Sequence, residues 1–146
     1  MIRFLIYWLP PLLWAALIFA VSANPDPYRT LAAWLGLAGA GAETPRLLPW
    51  LSNESLGQVL HFAEFAVLGA LVQRALARQG QAWQGQARAF HLPAPRRAFA
   101  LCLAYALFDE LHQSFVPGRA FQLPDLALDS LGALLGICLH RRCPPG

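Results

Sequence analysis

Four apolar stretches, each close to the roughly 20 residues that a helix needs to cross a bilayer, set the strongest limit on the fold of this chain. Hydrophobic residues make up 57% of the sequence and charged residues 13%, so the chain is far more apolar than a soluble domain. We therefore predict an all-α integral membrane four-helix bundle that occupies residues 1–146 as one domain. The predicted spans are residues 4–23, 56–77, 98–116 and 122–139.

The first span has an alternative interpretation. Arg3, an apolar run and the small residues of Val21-Ser22-Ala23 together resemble a signal peptide. The run is longer than the usual signal core of about 7 to 15 residues, so we favour a retained helix. Pro10-Pro11 inside this span predicts a kink, or a break at the interface, that neighbouring helices stabilise.

The basic residues predict the orientation of the bundle. All eleven are arginine, and short loops rich in arginine stay in the cytoplasm. With both termini in the cytoplasm, eight arginines lie inside and three outside, so we predict that orientation. The inner set is Arg3, Arg74, Arg78, Arg88, Arg96, Arg97, Arg141 and Arg142, and the outer set is Arg29, Arg46 and Arg119. Because the arginines form no stripe along the chain, we expect no nucleic-acid partner.

Each of the three later spans carries ionisable residues near its predicted outer end. His61, Asp109 and Asp129 lie a few residues from that end, at depths of roughly 8 to 10 Å given the helical rise of about 1.5 Å per residue. A charge that faces lipid costs about 2.5 to 3.5 kcal/mol, so we expect these faces to meet in a wet cleft that opens to the outside. The residues that share those faces at helical spacing are Glu64, His112, Gln113 and Asp125.

A purely structural role for single members of this layer stays open. Arg119 can neutralise Asp109 or Asp125, and His61 can bond to a carbonyl of a neighbouring helix. The spacing of Gly132 and Gly136 is that of a GxxxG pair, which predicts a close approach of two helices and no ligand site.

Metal sites and disulfides receive little support from the residue pattern. The cysteines form no CxxC pair, so we expect neither a disulfide framework nor a cysteine zinc site. A divalent ion held by His61, Glu64, Asp109 and His112 would suit an enzyme, since this ligand set fits zinc, manganese or iron. Such spacing arises often by chance in so polar a layer, so we predict no metal and no cofactor.

A dense motif joins the third and fourth spans. The run DELHQSFVPGR extends from Asp109 to Arg119, after His61-Phe62 with Phe65 and before Asp125 and a glycine-containing apolar helix. This pattern resembles the VanZ-like proteins, which are small bacterial multi-span membrane proteins, over residues 53–139. The resemblance implies a multi-pass protein of the bacterial inner membrane. The family is named for a protein linked to low-level teicoplanin resistance, most members have no settled activity, and resistance itself is not carried over.

Two positions depart from the family pattern. Gln58 stands where the family often has lysine, and Asp129 stands where it often has asparagine. The first change removes a cation and the second adds a carboxylate. An anionic ligand of this chain would therefore rely on Arg119 and His61.

Two functions are compatible with these residues. The first is an outer cleft that binds or modifies a cell-envelope lipid, a cell-wall precursor headgroup or a glycopeptide, with binding residues Arg119, Gln113, Asp125, Asp129, Glu64 and His112. The alternative is an intramembrane hydrolase or transferase acting on a lipid-linked substrate, with catalytic residues Asp109, Glu110 and His61. Whether the protein is an enzyme, and whether protomers assemble into an oligomer, stays open. The apolar inner halves of the spans argue against a transporter.

Overall fold

The computed structural model describes residues 2–26, 30, 53–82 and 92–142. Over these residues the chain forms four helices and no strand, so the all-α prediction is confirmed. The helices are α1 (Ile2–Ser22), α2 (Asn53–Ala82), α3 (Ala94–Gln113) and α4 (Leu123–Arg142). Three arginines used to predict the orientation, Arg29, Arg46 and Arg88, lie outside the described residues.

Three of the helices are long and apolar enough to cross a membrane, which makes this a membrane protein. The candidate spans are Phe4–Ser22, Leu56–Gly80 and Leu123–Arg142. Helix α3 has 20 residues but contains Arg96, Arg97, Asp109 and Glu110, and it is too charged to qualify by composition. The fourth crossing and the cytoplasmic location of the termini therefore stay predictions.

Helix α1 runs through Pro10 and Pro11 as one continuous helix. It is attached to its neighbours by hydrogen bonds from large side chains. The Trp14 indole donates to the Glu64 carbonyl at 2.9 Å, and the Tyr105 hydroxyl donates to the carbonyl of Ala15. These bonds place α1 antiparallel to α2 and parallel to α3, with Ser22 at the same end of the bundle as the last turn of α3.

Helices α2 and α4 pack in parallel at backbone distance. A Cβ atom added to Gly132 would overlap the carbonyl oxygen of Phe62, and one added to Gly136 would overlap that of Ala66. A Cβ atom on Gly69 would likewise meet the Ala133 carbonyl from the other side. The GxxxG spacing therefore works as predicted, because only glycine lets the two backbones come this close.

Apolar side chains cover both the inside and the outside of the bundle. The buried set is Ile18, Phe65, Leu68, Val72, Leu76, Ala98, Cys102, Ala106, Ala133 and Ile137. Large side chains of α1, among them Leu5, Leu12 and Leu13, are more than half exposed, as expected for a surface covered by acyl chains. Against this apolar background, the buried charges collect at one end of the bundle, where α3 ends and α4 begins.

Candidate functional site

A polar cleft of about 330 Å³ opens at the end of the bundle where α2 and α4 begin and α3 ends. Its lining combines two basic residues with carboxylates and amides. The lining residues are Pro25, Asp26, Gly57, Gln58, His61, Gln113, Gly118, Arg119, Ala120, Gln122 and Asp125. The cleft has the size of a small-molecule site.

The short connection from α3 to α4 directs Arg119 into this cleft. Gly118 has a φ of 81°, a conformation that other residues rarely adopt, and the turn is closed by a bond from the Arg119 amide to the Val116 carbonyl at 3.0 Å. The guanidinium then folds back, and its Nη1 donates to Oε1 of Gln113 at 3.1 Å. Helix α3 ends at Gln113, and the turn at Pro117-Gly118 that follows positions the basic group.

Asp109 is fully buried between α3 and α1. Its Oδ2 accepts hydrogen bonds from Ser22 Oγ at 2.6 Å and from Gln113 Nε2 at 2.9 Å. Because Gln113 also receives Arg119, a chain of hydrogen bonds leads from α1 through Asp109 to the cleft. The structure therefore places Asp109 at a helix contact, and the catalytic role predicted for it stays a prediction.

Three ionisable side chains from three different helices converge beside the cleft. His61, Glu110 and Asp129 each offer one ligand atom, and these atoms lie within 4.8 Å of one another. Glu110 and Asp129 are completely buried, whereas the His61 side chain is 14% exposed and lines the cleft. We call these three residues the His-Glu-Asp cluster.

The His-Glu-Asp cluster leaves several of its polar atoms without hydrogen bonds among the described residues. Glu110 Oε2 accepts from the backbone amide of Gln122 at 2.8 Å, but Oε1 has no partner. His61 Nδ1 and Asp129 Oδ1 lie 3.3 Å apart, an ion pair when the imidazole is protonated, but their geometry is not that of a hydrogen bond, and Oδ2 of Asp129 is also without a hydrogen-bond partner. Such a group can hold a cation, bind donors of a ligand or transfer a proton.

Two other predicted site residues, Glu64 and His112, are not among the residues that line the cleft. The imidazole of His112 packs on the ring of Phe19 in α1, with ring centroids 4.2 Å apart. The backbone carbonyl of Glu64 accepts a hydrogen bond from the Trp14 indole. Among the described residues, His61 forms no ligand group with Glu64, Asp109 or His112, the ligand set considered above for an enzyme with a divalent ion. Helical spacing identified residues on one face, but it did not show which neighbouring helix each face would meet.

Two polar partners were missed by sequence reasoning. Ser22, the donor to Asp109, is the only polar residue within an apolar stretch, and its isolation was the available signal. The backbone amide of Gln122, the donor to Glu110, carries no signal in the sequence at all.

Comparison with protein families gives one match. The family described as VanZ/LLP1 matches residues 7–143, which includes all of α2, α3 and α4 and most of α1. Comparisons with curated proteins and with solved structures found no match. The match covers nearly the whole chain, and the motif residues His61, Glu110 and Arg119 fall inside it. This membrane protein therefore belongs to the VanZ/LLP1 family.

Proposed function

We propose that this protein binds the polar headgroup of a cell-envelope lipid or of a lipid-linked cell-wall precursor in its cleft. The observation that carries the proposal is that His61 and Arg119 line one polar cleft at the end of an otherwise apolar bundle. Polar groups at membrane depth are costly, so their concentration in one cleft favours a functional role.

Arg119 is the group best suited to an anionic part of the ligand. Its planar guanidinium can donate two parallel hydrogen bonds to a phosphate or a carboxylate. The bond to Gln113, itself fixed by Asp109, holds the side chain in place before a ligand arrives. A preorganised arginine loses less side-chain entropy on binding, which increases affinity.

Other residues of the cleft lining offer hydrogen-bond acceptors. Asp125 and the amides of Gln58 and Gln122 line it and can bind hydroxyl or amine groups. Gln58 occupies the position where the family often has lysine, so the cleft carries one cation fewer than the family pattern. This mixture favours a headgroup with one anionic group beside neutral or basic donors over a highly charged anion.

Apolar side chains close to the cleft favour a ligand that carries acyl or prenyl chains. Phe115 is 79% exposed and Leu123 is 69% exposed, and both belong to the segment that also carries Arg119. A headgroup in the cleft would leave its chains beside this apolar surface, where they remain in the hydrocarbon region.

Lipid binding by purified variants tests the proposal. The wild type and Arg119→Ala would be placed in phosphatidylcholine nanodiscs, and binding of added polyprenyl phosphate or phosphatidylglycerol would be measured by native mass spectrometry. Because hydrogen bonds to a charged group contribute about 1.5 to 3 kcal/mol, we expect Arg119→Ala to weaken binding by about 10- to 100-fold. Arg96→Ala, at the exposed start of α3, is the matched control. Equal binding by Arg119→Ala and the wild type would contradict the proposal.

An intramembrane hydrolase or transferase is the second candidate, and the His-Glu-Asp cluster favours it. Glu110 presents an unbonded carboxylate oxygen close to His61, which suits a general base that activates water or a hydroxyl group. The test is release of inorganic phosphate from polyprenyl diphosphate by the wild type and by Glu110→Gln. Equal release by the two proteins would contradict a catalytic role for Glu110.

A further inference from the structure

We propose that His61, Glu110 and Asp129 bind a divalent transition-metal ion beside the cleft. This metal site goes beyond the headgroup proposal and does not depend on it, because its ligands belong to the protein. It also differs from the ligand set suggested by helical spacing, of which only His61 remains.

The distances within the His-Glu-Asp cluster suit shared coordination. Nitrogen and oxygen ligands lie about 2.0 to 2.2 Å from zinc and similar ions, so two ligand atoms on one tetrahedral ion are about 3.3 to 3.6 Å apart. His61 Nδ1 and Asp129 Oδ1 are 3.3 Å apart and do not hydrogen-bond. The Glu110 ligand atom lies within 4.8 Å of both, so small side-chain rotations would complete a three-ligand site.

The unsatisfied oxygens point to a missing partner. Asp129 is 0% exposed and neither of its oxygens has a hydrogen-bond partner among the described residues, and Glu110, also 0% exposed, has one such oxygen. Buried polar atoms are nearly always satisfied by protein, water or an ion. Glu110 and Asp129 belong to different helices, and one oxygen of each lies within 4.8 Å of the other and of the same imidazole, so one ion can bind to both carboxylates.

Charge balance supports a cation at the same point. Asp109, Glu110 and Asp129 are all completely buried at this end of the bundle. Arg119, the arginine that lines the cleft, donates to the Gln113 amide, and the described part of the chain places no arginine in an ion pair with the three carboxylates. The His61 imidazole pairs with Asp129 at 3.3 Å and, when protonated, balances one of the three charges. Burying the remaining carboxylates without a counterion is strongly unfavourable, and a divalent ion would compensate two of them.

The ligand types select the class of ion. One imidazole and two carboxylates suit zinc, manganese or ferrous iron. Calcium and magnesium prefer all-oxygen sites, so the imidazole disfavours them. Three protein ligands leave at least one coordination position vacant for water or a ligand oxygen, and His61 connects the site to the cleft.

Metal uptake by purified protein tests the site directly. Protein stripped with a chelator would be dialysed against zinc or manganese with no lipid added, and bound metal would be measured by mass spectrometry. We expect one ion per wild-type chain, and an affinity reduced more than about tenfold in Asp129→Asn, Glu110→Gln and His61→Gln. His112→Gln is the matched histidine control, because His112 packs against Phe19 outside the His-Glu-Asp cluster, and it should bind metal like the wild type.

A second variant keeps the test decisive if the neutral substitutions fail to fold. His61→Cys replaces the imidazole by a thiolate, which also binds zinc and cobalt. Cobalt added to this variant should produce an absorption band from thiolate-to-cobalt charge transfer that the wild type lacks. The proposal is overturned if wild-type protein takes up no metal, if His112→Gln loses as much metal as His61→Gln, or if folded His61→Cys shows no such band. Because no lipid is present, these outcomes do not depend on headgroup binding.

Discussion

Replacing Gly136 by alanine should destabilise the bundle although alanine is the better helix former. The new Cβ atom would overlap the Ala66 carbonyl oxygen and lie 2.9 Å from the Ala70 amide nitrogen. These obstacles are backbone atoms, so α4 as a whole must move away from α2. Overpacking typically costs about 1 to 3 kcal/mol, and the gain in helix propensity returns about 1 kcal/mol. Because the collision involves backbone atoms, we take the upper value and expect the free energy of unfolding to fall by about 2 kcal/mol in total.

Cys102 provides the readout for this prediction, because it lies in the buried core with 1% of its surface exposed. In a background with Cys138 and Cys143 replaced by alanine, labelling of Cys102 by a fluorogenic maleimide would report unfolding during an SDS titration. The matched control is Gly80→Ala, since Gly80 is also helical but has no atom within 4 Å of an added Cβ. Gly80→Ala should be neutral or slightly stabilising. Equal stability of the Gly136→Ala and Gly80→Ala variants would refute the backbone-contact argument.

Two further substitutions test how the site is held. Ser22→Ala removes a hydrogen-bond donor to buried Asp109 and should lower the free energy of unfolding by about 1 to 3 kcal/mol. The control is Ser130→Ala, which should change this free energy little, because the Ser130 hydroxyl donates to the Leu126 carbonyl of its own helix. Equal effects of the two substitutions would contradict the contact between α1 and α3. Gly118→Ala places a Cβ atom in open space at a φ of 81°, so backbone strain alone should lower the free energy of unfolding by about 1 to 2 kcal/mol. Unchanged stability of this variant in the same SDS titration would show that the turn adopts another conformation.

The helices could be predicted from sequence because their length and apolar character depend on local residues only. The predicted spans and the observed helices differ at their ends. The third span was predicted from residue 98 onward, but helix α3 begins at Ala94 and includes Arg96 and Arg97. Helix formation tolerates arginine, whereas a membrane core does not, so the helix extends beyond the apolar stretch used to predict it.

The site was harder to predict, because it depends on how each helix is rotated against its neighbours. Asp109 and Glu110 are adjacent in sequence, but successive residues of a helix point about 100° apart. Asp109 therefore bonds to Ser22 of α1, while Glu110 joins His61 and Asp129. No pattern within α3 alone distinguishes these two carboxylates, and the tertiary packing decides which of them lies beside the cleft.

The most direct test of the account is whether the cleft opens to water on the extracytoplasmic side. In spheroplasts of cells that express a cysteine-free background, Gln58→Cys should react with a membrane-impermeant maleimide, because Gln58 lines the cleft. The neighbouring residue Val59 is 57% exposed on the bundle surface. Because this surface faces lipid, Val59→Cys should stay unlabelled. Arg142→Cys, at the other end of the bundle, should react only after permeabilisation. Labelling of Gln58→Cys only after permeabilisation, or equal labelling of Gln58→Cys and Val59→Cys, would contradict an outward-facing polar cleft.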